Sequence, residues 1–405
     1  MKKVIFLFAS VVLIGTAQAQ TKKNYLIKGE YLRGTVLKHN EHLKNLVKGP
    51  SEGIEFALEY RPAGEKDWHH FLNFPTVGFG LNYMNLGNPD TLGYATSIYP
   101  YLNIPIVRTA HFMLNVKAGG GLAYVNKTFK DTYNPNVDIN FNNGAIGSRL
   151  NVFLAGGLNI EIPLFKGLNL TADYAWNHIS NGSIVQPNSG INMLNAYIGL
   201  KVFPNFAVYT PPVRENRPDI SRRITYEATL SGGIRELYYR DEGKKYPIAS
   251  FSLAAYRPMS NRYRMGIGMD IFYDGVFGAV NSTDAGNTTD TEFKKTYITE
   301  KKSANLFRAG ISWHHELILG RLTAGFHLGM YLYDPIKNLE PYHQAKEGNV
   351  RKGLIYSYNI DVEDGWFYTK AVAKYRITKH FFASVGLKTH LQKAEFIEWG
   401  FGYRL

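Results

Sequence analysis

Residues 112–124 read FMLNVKAGGGLAY, and nearly every second residue of this stretch is apolar or aromatic. The positions between them hold polar or small residues, such as Asn115 and Lys117. Because alternate side chains of a β-strand point to opposite faces, this period of two predicts a strand with one apolar and one polar face. The C-terminal stretch 397–405, IEWGFGYRL, repeats the pattern with aromatic residues on the apolar face.

The first twenty residues have a different character. Lys2 and Lys3 precede an apolar run from Val4 to Ile14, and Ala17-Gln18-Ala19 follows it. A basic start, a short apolar run and an A-x-A site predict a secretory signal peptide over residues 1–19, cleaved near Ala19. Past this segment no stretch reaches the roughly 18–20 apolar residues that a spanning helix needs, so only strands are candidates for crossing a membrane.

Composition narrows the class of protein further. The chain has 405 residues, 45% of them hydrophobic and 14% aromatic, and no cysteine. This excludes disulfide frameworks, thiolate metal sites and a disordered chain. Alternating strands also occur in soluble sandwiches, whose apolar faces pack on a second sheet. The signal peptide and the aromatic residues near strand ends favour an all-β, outer-membrane antiparallel β-barrel.

The pattern predicts about eight strands before residue 204 and about eight after residue 223. The stretch 204–223 between them contains four prolines and is predicted to be a linker, because proline is excluded from central strands. Residues 56–62, FALEYRP, resemble residues 251–258, FSLAAYRP, which suggests a duplicated unit. Two closures fit: two tandem eight-stranded barrels over 20–203 and 224–405, or one sixteen-stranded barrel. We favour two barrels, because a proline-rich connection of this length is unusual within one barrel.

The formal net charge of +13 raises the question of nucleic-acid binding. The basic residues are spread over predicted loops and the linker, with no basic helix or binding motif, so no nucleic-acid partner is expected. Exposed lysine and arginine of an outer-membrane barrel would instead meet lipid phosphates.

One predicted strand contains two candidate catalytic residues. In residues 168–181, LNLTADYAWNHISN, the even positions run from leucines through Tyr174 and Trp176 to His178 and Ser180. The period of two therefore places an imidazole and a hydroxyl on one lipid-facing surface at the strand end. Such a pair is the minimal nucleophile and general base for acyl transfer. A histidine and a serine at a membrane interface are also ordinary residues there, so the pair alone leaves both interpretations open.

The segment His178-Ile179-Ser180-Asn181, followed by QPNSGI over residues 186–191, resembles the active-site segment of the PagL-type lipid A 3-O-deacylases. The stretches WHHF (68–71) and PTVGFG (75–80) are similar to the Bacteroidetes acyloxyacyl hydrolase branch of that family. The resemblance covers roughly residues 25–203. It implies an eight-stranded outer-membrane barrel that acts as a carboxylic ester hydrolase on lipid A of lipopolysaccharide, using serine, histidine and an acidic residue.

Carried over by position, the resemblance makes His178 the general base and Ser180 the nucleophile. Asn181 and Asn188 match family asparagines near the oxyanion, although ordinary turn chemistry also explains asparagine there. The acidic third member falls on Asn192, which is a departure from the family pattern. Its carbonyl oxygen can accept a hydrogen bond from the imidazole but cannot balance an imidazolium charge as a carboxylate does.

Two functional classes remain: a lipid A ester hydrolase, and a non-enzymatic outer-membrane barrel that retains the motif. In the strand expected to match in the second half, residues 381–393, His390 falls on the face opposite the apolar residues, so this half is predicted to be non-catalytic. His69-His70 and His314-His315 are adjacent pairs that would point to opposite faces of strands, so no metal site is expected. No cofactor is implied.

Overall fold

A computed structural model describes most of the chain. The described residues are 24–39, 41–203, 212–236, 243–278, 303–335, 366–390 and 393–405. The predicted signal peptide and residues 204–211 of the predicted linker lie outside them. The described part contains sixteen strands and three short α-helices. None of its helices has the length and apolarity of a membrane-spanning helix.

The first half of the chain forms a closed antiparallel barrel in which consecutive strands are hydrogen-bonded neighbours. The ring closes between its first and last strands, where Tyr31 lies opposite Ile198 and Val36 opposite Met193. The strands are β1 (Tyr25–Val36), β2 (Ser51–Tyr60), β3 (Thr76–Asn85), β4 (Tyr94–Arg108), β5 (Met113–Val125), β6 (Leu150–Phe165), β7 (Leu168–Ser180) and β8 (Ile191–Val202).

Two of the three connections at one end of this barrel are short turns. Turns 109–112 and 166–167 are short, whereas the β1–β2, β3–β4, β5–β6 and β7–β8 connections at the opposite end are longer. Helix α1 (Glu41–Leu46) lies in the β1–β2 connection and α3 (Phe129–Thr132) in the β5–β6 connection. Helix α2 (Asp67–Phe71) lies in the β2–β3 connection, on the short-turn end.

The second half forms another closed antiparallel barrel. Its ring closes where Phe401 lies opposite Leu230 and Trp399 opposite Gly232. The strands are β9 (Thr225–Arg235), β10 (Tyr246–Ser260), β11 (Tyr263–Asp274), β12 (Phe307–Leu319), β13 (Leu322–Tyr333), β14 (Phe367–Arg376), β15 (Phe381–His390) and β16 (Lys393–Arg404).

The prediction of two eight-stranded barrels is confirmed. A single sixteen-stranded barrel is wrong, because β8 bonds back to β1 and β16 to β9. The chain divides into two compact units, Met1–Ser180 with Gly190–Arg217, and Asn181–Ser189 with Pro218–Leu405.

Residue alternation divides each strand between an apolar exterior and a polar interior. On the paired strands β6 and β7, Leu158 is 49% and Tyr174 58% exposed, whereas Asn159 is fully buried and Asp173 is 3% exposed. A continuous band of exposed aliphatic and aromatic side chains matches the lipid-facing surface of a transmembrane barrel. The polar residues between them are buried because they point into the lumen.

The interior of the first barrel is filled by a network of ion pairs. The ammonium group of Lys28 lies 2.8 Å from Glu55, and that of Lys117 lies 2.6 Å from Asp173 and 3.2 Å from Glu55. Nearer the short-turn end, Lys201 lies 2.7 Å from Glu161 and 3.0 Å from Glu59. These charges are buried yet compensated, which is the condition for tolerating them away from water.

Apolar residues cover this network at the end of the barrel that carries the long connections. Strand residues such as Ile179 and Met193 pack there with residues from the connections. The residues contributed by the connections are Leu43, Leu46, Leu86, Leu92, Ala145 and Ile146. The end of β7 that bears His178 and Ser180 therefore rests on a packed interior.

The ion-pair network predicts a large cost for removing one cation. In Lys117→Met, Glu55 and Asp173 lose a shared partner, and a buried charge left uncompensated costs about 3–5 kcal/mol. We expect the free energy of unfolding in urea, measured in detergent micelles, to fall by about that amount. The exposed Lys48→Met is the matched control and should leave it unchanged within about 0.5 kcal/mol. Equal stability of the two variants would contradict this account of the lumen.

Candidate active site at the end of strand β7

His178 and Ser180 lie two residues apart at the end of β7, on the face that bears Tyr174 and Trp176. His178 is partly exposed, whereas Ser180 is only 5% exposed. The outward parity expected from the sequence therefore holds for the histidine. The serine shares that parity but is covered by surrounding residues, rather than lying open to lipid.

The imidazole of His178 bridges Ser180 and Asn192. Its Nε2 lies 2.8 Å from the hydroxyl of Ser180, and its Nδ1 lies 2.8 Å from Oδ1 of Asn192. An amide oxygen only accepts hydrogen bonds, so Nδ1 is protonated and donates a hydrogen bond to Oδ1 of Asn192. Nε2 then has a free lone pair and accepts from the serine hydroxyl. This is the tautomer that a general base requires.

Strand register accounts for the position of Asn192. β7 and β8 pair with His178 directly opposite Asn192, so the two side chains project from the same face at neighbouring positions. The Nδ2 of Asn192 lies 3.5 Å from Nδ1 of His39, in the β1–β2 connection. The oxygen of the amide is thus turned toward His178 and its nitrogen toward His39.

Gly190 makes the close packing around the pair possible. Its φ of +71° lies in the left-handed region that favours glycine. A Cβ added there would lie 3.0 Å from Cε1 of His178 and 3.2 Å from Cβ of Ser180. The Gly190 amide donates to the carbonyl of Ala145, 3.0 Å away, so the β5–β6 connection holds it in place. This glycine belongs to the sequence motif, but the motif did not predict its steric role.

The indole of Trp176 stacks on the imidazole. The two ring centroids are 5.5 Å apart and the planes are inclined by 14°. Trp176 is 37% exposed, so its other surface remains accessible from the exterior of the barrel. Parity places residues 176 and 178 on one face, but the stacking itself depends on side-chain rotamers that the sequence does not specify.

The two asparagines predicted to flank the oxyanion have different surroundings. Asn181 uses both ends of its amide within the loop: Nδ2 donates to the Val185 carbonyl at 3.0 Å, and Oδ1 accepts from the Val185 amide at 3.2 Å. Oδ1 of Asn188 accepts a hydrogen bond from the backbone N–H of Asn181 at 3.1 Å. The Nδ2 of Asn188 is buried and has no hydrogen-bond partner among the described residues. Asn188 thus offers a donor that the protein itself does not use.

Two acidic residues on β6 and β7, the strands next to the site, bind cations of the lumen. Asp173 binds Lys117, and Glu161 binds Lys201 and Arg61. Both are buried, so neither takes the place of Asn192 beside His178. The hydrogen-bond partner at Nδ1 of His178 is an amide, as the sequence at position 192 implied.

Two groups of buried side chains have the composition of a metal site. They are His314, Glu316 and His327 in the second barrel, and Glu30, Glu55 and Asp173 in the first. In each group a protein cation already occupies the carboxylates: Lys374 lies 2.7 Å from Glu316, and Lys28 lies 2.8 Å from Glu55. These ammonium groups sit where a metal ion would, so the donor sets do not suit one.

The adjacent histidine pairs have different settings. His314 is fully buried in the lumen while His315 is only partly buried, as expected for neighbours on a strand. His69 and His70 lie in helix α2, not in a strand, so the argument from strand parity was wrong for them. Nε2 of His70 instead bonds the Gly64 carbonyl at 2.8 Å, which ties the helix to its own connection.

The second barrel contains a serine and a histidine two residues apart that were not predicted from the sequence. Ser312 Oγ lies 2.7 Å from Nε2 of His314 and 2.6 Å from Asp270. The carboxylate only accepts, so Ser312 donates to Asp270 and accepts from His314. Tyr256 donates to Nδ1 of His314 at 2.6 Å. The hydroxyl of Ser312 therefore donates to a carboxylate inside the lumen, whereas the hydroxyl of Ser180 donates to its histidine.

Comparison with solved structures finds the following similar chains. The neisserial surface protein A (NspA) is 10% identical with a TM-score of 0.30, over 44% of this chain and 96% of that chain. The outer membrane enzyme PagL is 16% identical with a TM-score of 0.28, over 43% of this chain and 98% of that chain. A mutant Rh. blastica porin is 8% identical with a TM-score of 0.17, over 94% of this chain and 99% of that chain. No curated protein sequence matches significantly.

Two family models match the sequence. Residues 52–201 match the model described as lipid A 3-O-deacylase (PagL). Residues 224–346 and 349–405 match the model described as acyloxyacyl hydrolase, C-terminal domain. The first match contains the strands that carry His178, Ser180 and Asn192, and the second spans the other barrel. The first barrel therefore matches the lipid A 3-O-deacylase (PagL) family, and the second barrel matches the C-terminal domain of acyloxyacyl hydrolases.

Proposed function

We propose that this protein is an outer-membrane hydrolase that removes an ester-linked acyl chain from lipid A, with Ser180 as nucleophile and His178 as general base. The observation that carries the proposal is the hydrogen-bond chain from Ser180 through His178 to Asn192 on the outward face of β7. The match of residues 52–201 to the lipid A 3-O-deacylase family model supports lipid A as the substrate.

The reaction begins when Ser180 attacks the ester carbonyl carbon and its proton passes to Nε2 of His178. The carbonyl oxygen becomes an oxyanion, and a hydrogen-bond donor aimed at it lowers the barrier. His178 then returns the proton to the leaving sugar oxygen as the carbon–oxygen bond breaks. A water molecule, activated by the same imidazole, hydrolyses the acyl-serine and releases the fatty acid.

Asn192 fixes the tautomer of His178 but supplies no negative charge for the imidazolium. In serine proteases, replacing the triad aspartate with asparagine lowers turnover by about 10⁴, because the histidine then adopts the wrong tautomer. Here the amide oxygen faces Nδ1, so that particular loss is avoided. The stacked Trp176 adds a π-face beside the charge, an interaction of about 0.5–2 kcal/mol. The arrangement supports turnover without a carboxylate, at a lower rate than a full triad.

Asn188 is the better candidate of the two asparagines for the oxyanion. Its Nδ2 is an unused buried donor, whereas the Nδ2 of Asn181 already donates to Val185. We assign Asn181 to shaping the loop, and Asn188 to contacting the developing negative charge.

The assay for the proposal is a change in the lipid A of a Gram-negative host. Expression of the wild-type chain in the outer membrane should lower the acyl count of extracted lipid A, measured by mass spectrometry. Ser180→Ala removes the nucleophile and should leave the lipid A unchanged, whereas Ser303→Ala, at an exposed position of the second barrel, should act like wild type. Unmodified lipid A in the presence of folded, inserted wild-type protein would instead favour a non-enzymatic barrel.

A carboxylate at position 192 should raise the turnover rate of the proposed ester hydrolysis. In Asn192→Glu the side chain can still accept from Nδ1 of His178 and also balances the imidazolium charge, so we expect turnover to rise by about tenfold. Asn192→Gln has the same length without the charge and is the matched control. If the glutamate variant is slower than wild type, the histidine–asparagine pair is itself the working arrangement.

The donor assigned to Asn188 has its own test. Asn188→Asp keeps an oxygen for the Asn181 amide but removes the NH₂ group. Loss of one oxyanion donor lowers kcat by about 10²–10³, with little change in KM. Asn136→Asp, on the exposed β5–β6 connection, makes the same chemical change elsewhere and should keep full activity. An unaltered kcat for the Asn188 variant would remove this residue from the mechanism.

A further inference from the structure

The short-turn end of the second barrel holds a cavity lined mainly by cationic side chains. We call this cavity the basic mouth. Arg321 lies in the turn between β12 and β13, Arg376 at the end of β14, Lys379 in the turn after it, and Arg404 at the end of β16. All these residues belong to one barrel, so the fold of that barrel alone builds the cavity.

The charges in the basic mouth are far from balanced. Glu227 is the only carboxylate among the described residues that line it. That one side chain accepts from Arg264 at 2.7 Å, from Lys374 at 2.9 Å and from Arg404 at 2.7 Å. Glu316, deeper in the lumen, shares the first two of these cations. The two carboxylates Glu227 and Glu316 therefore face three cationic side chains, which leaves one positive charge in excess even without the residues at the rim of the cavity.

The rim adds three more cations, Arg321, Arg376 and Lys379. In the described part of the chain none of the three forms an ion pair, and the guanidinium of Arg376 donates only to the Gly320 carbonyl, at 3.4 Å. Like charges gathered around a concave surface repel one another and attract anions. This part of the barrel thus presents a concentration of positive charge that the acidic side chains of the described residues do not neutralise.

The first barrel shows that this imbalance is not a general feature of the fold. Toward its short-turn end, Arg61 pairs with Glu161, and Lys201 pairs with both Glu59 and Glu161. There the cations are matched by buried carboxylates of the same barrel. The excess at the basic mouth therefore calls for a partner from outside the chain.

We propose that the basic mouth binds a phosphate group. Arginine forks match the geometry of phosphate oxygens, and several charge-assisted hydrogen bonds can form at once. Short turns of outer-membrane barrels face the periplasm. The phosphate comes either from an anionic phospholipid of the inner leaflet or from free phosphate in that compartment.

Apolar side chains beside the cavity are compatible with the lipid source. Phe381 lines the basic mouth and is 56% exposed, and the neighbouring Ile377 is 47% exposed. A phosphate in the cavity could therefore carry acyl chains along the outer surface of the barrel. The proposal concerns the second barrel and does not depend on the chemistry at Ser180.

The test uses the full-length protein in neutral detergent at low ionic strength, with two probes. Inorganic phosphate is titrated by calorimetry, and retained lipid is counted by native mass spectrometry after addition of phosphatidylglycerol or phosphatidylcholine. The double variant Arg321→Gln/Arg376→Gln should weaken binding about tenfold or more, because two charge-assisted contacts are lost. Arg257→Gln/Arg262→Gln removes the same charge from exposed positions outside the cavity and should bind like wild type.

Each outcome decides the proposal. Binding of inorganic phosphate that the first double variant weakens identifies free phosphate as sufficient, whereas selective retention of phosphatidylglycerol alone identifies the lipid headgroup. Failure of wild type to bind either probe overturns the proposal, as does an equal loss in both double variants. Folding is checked by the heat-dependent mobility of the barrel on gels. If the first double variant does not fold, Lys379→Gln, in an exposed turn, replaces it with an expected loss of about threefold.

Discussion

The period of two along each strand, locked by closure of the ring, is the constraint on which the rest of this structure depends. Because β1 bonds to β8, the register of every strand is fixed, and each side chain has either a lipid-facing or a lumenal position. A shift of one residue in β7 would bury His178 and expose Asp173. The same closure sets His178 opposite Asn192, so the candidate site is a direct product of sheet register.

Much of the fold could be predicted from the sequence because this period is a local signal. The alternation in residues 112–124 marks a strand, and the proline-rich stretch after residue 203 separates two sets of eight. The site residues His178 and Ser180 could be found for the same reason, since their spacing alone places them on one face. Their catalytic roles were assigned from the resemblance, because two polar residues at a membrane interface do not by themselves indicate catalysis.

The features that the sequence did not predict depend on contacts between distant segments. The close approach of Gly190 to His178 and Ser180 follows from a backbone turn. The hydrogen bond between Ser312 and Asp270 joins two strands through residues that are 42 positions apart in the sequence. The position of His69 and His70 in a helix was missed because a five-residue helix has no periodic signature. Both serine–histidine pairs fit the same spacing rule, but one lies on the outward face and the other in the lumen, and their hydrogen bonds run in opposite directions.

The charged interior of the first barrel has a consequence for how this protein enters the membrane. Glu55 comes from β2, but its cationic partners Lys28 and Lys117 come from β1 and β5, and Asp173, which shares Lys117, comes from β7. The β1–β2 hairpin pairs Lys28 with Glu55 but keeps an excess of negative charge until Lys117 joins it. A partly assembled sheet would therefore carry unpaired ions into the hydrocarbon. Assembly should accordingly be cooperative and slow, with insertion completed only as the last strand joins the first.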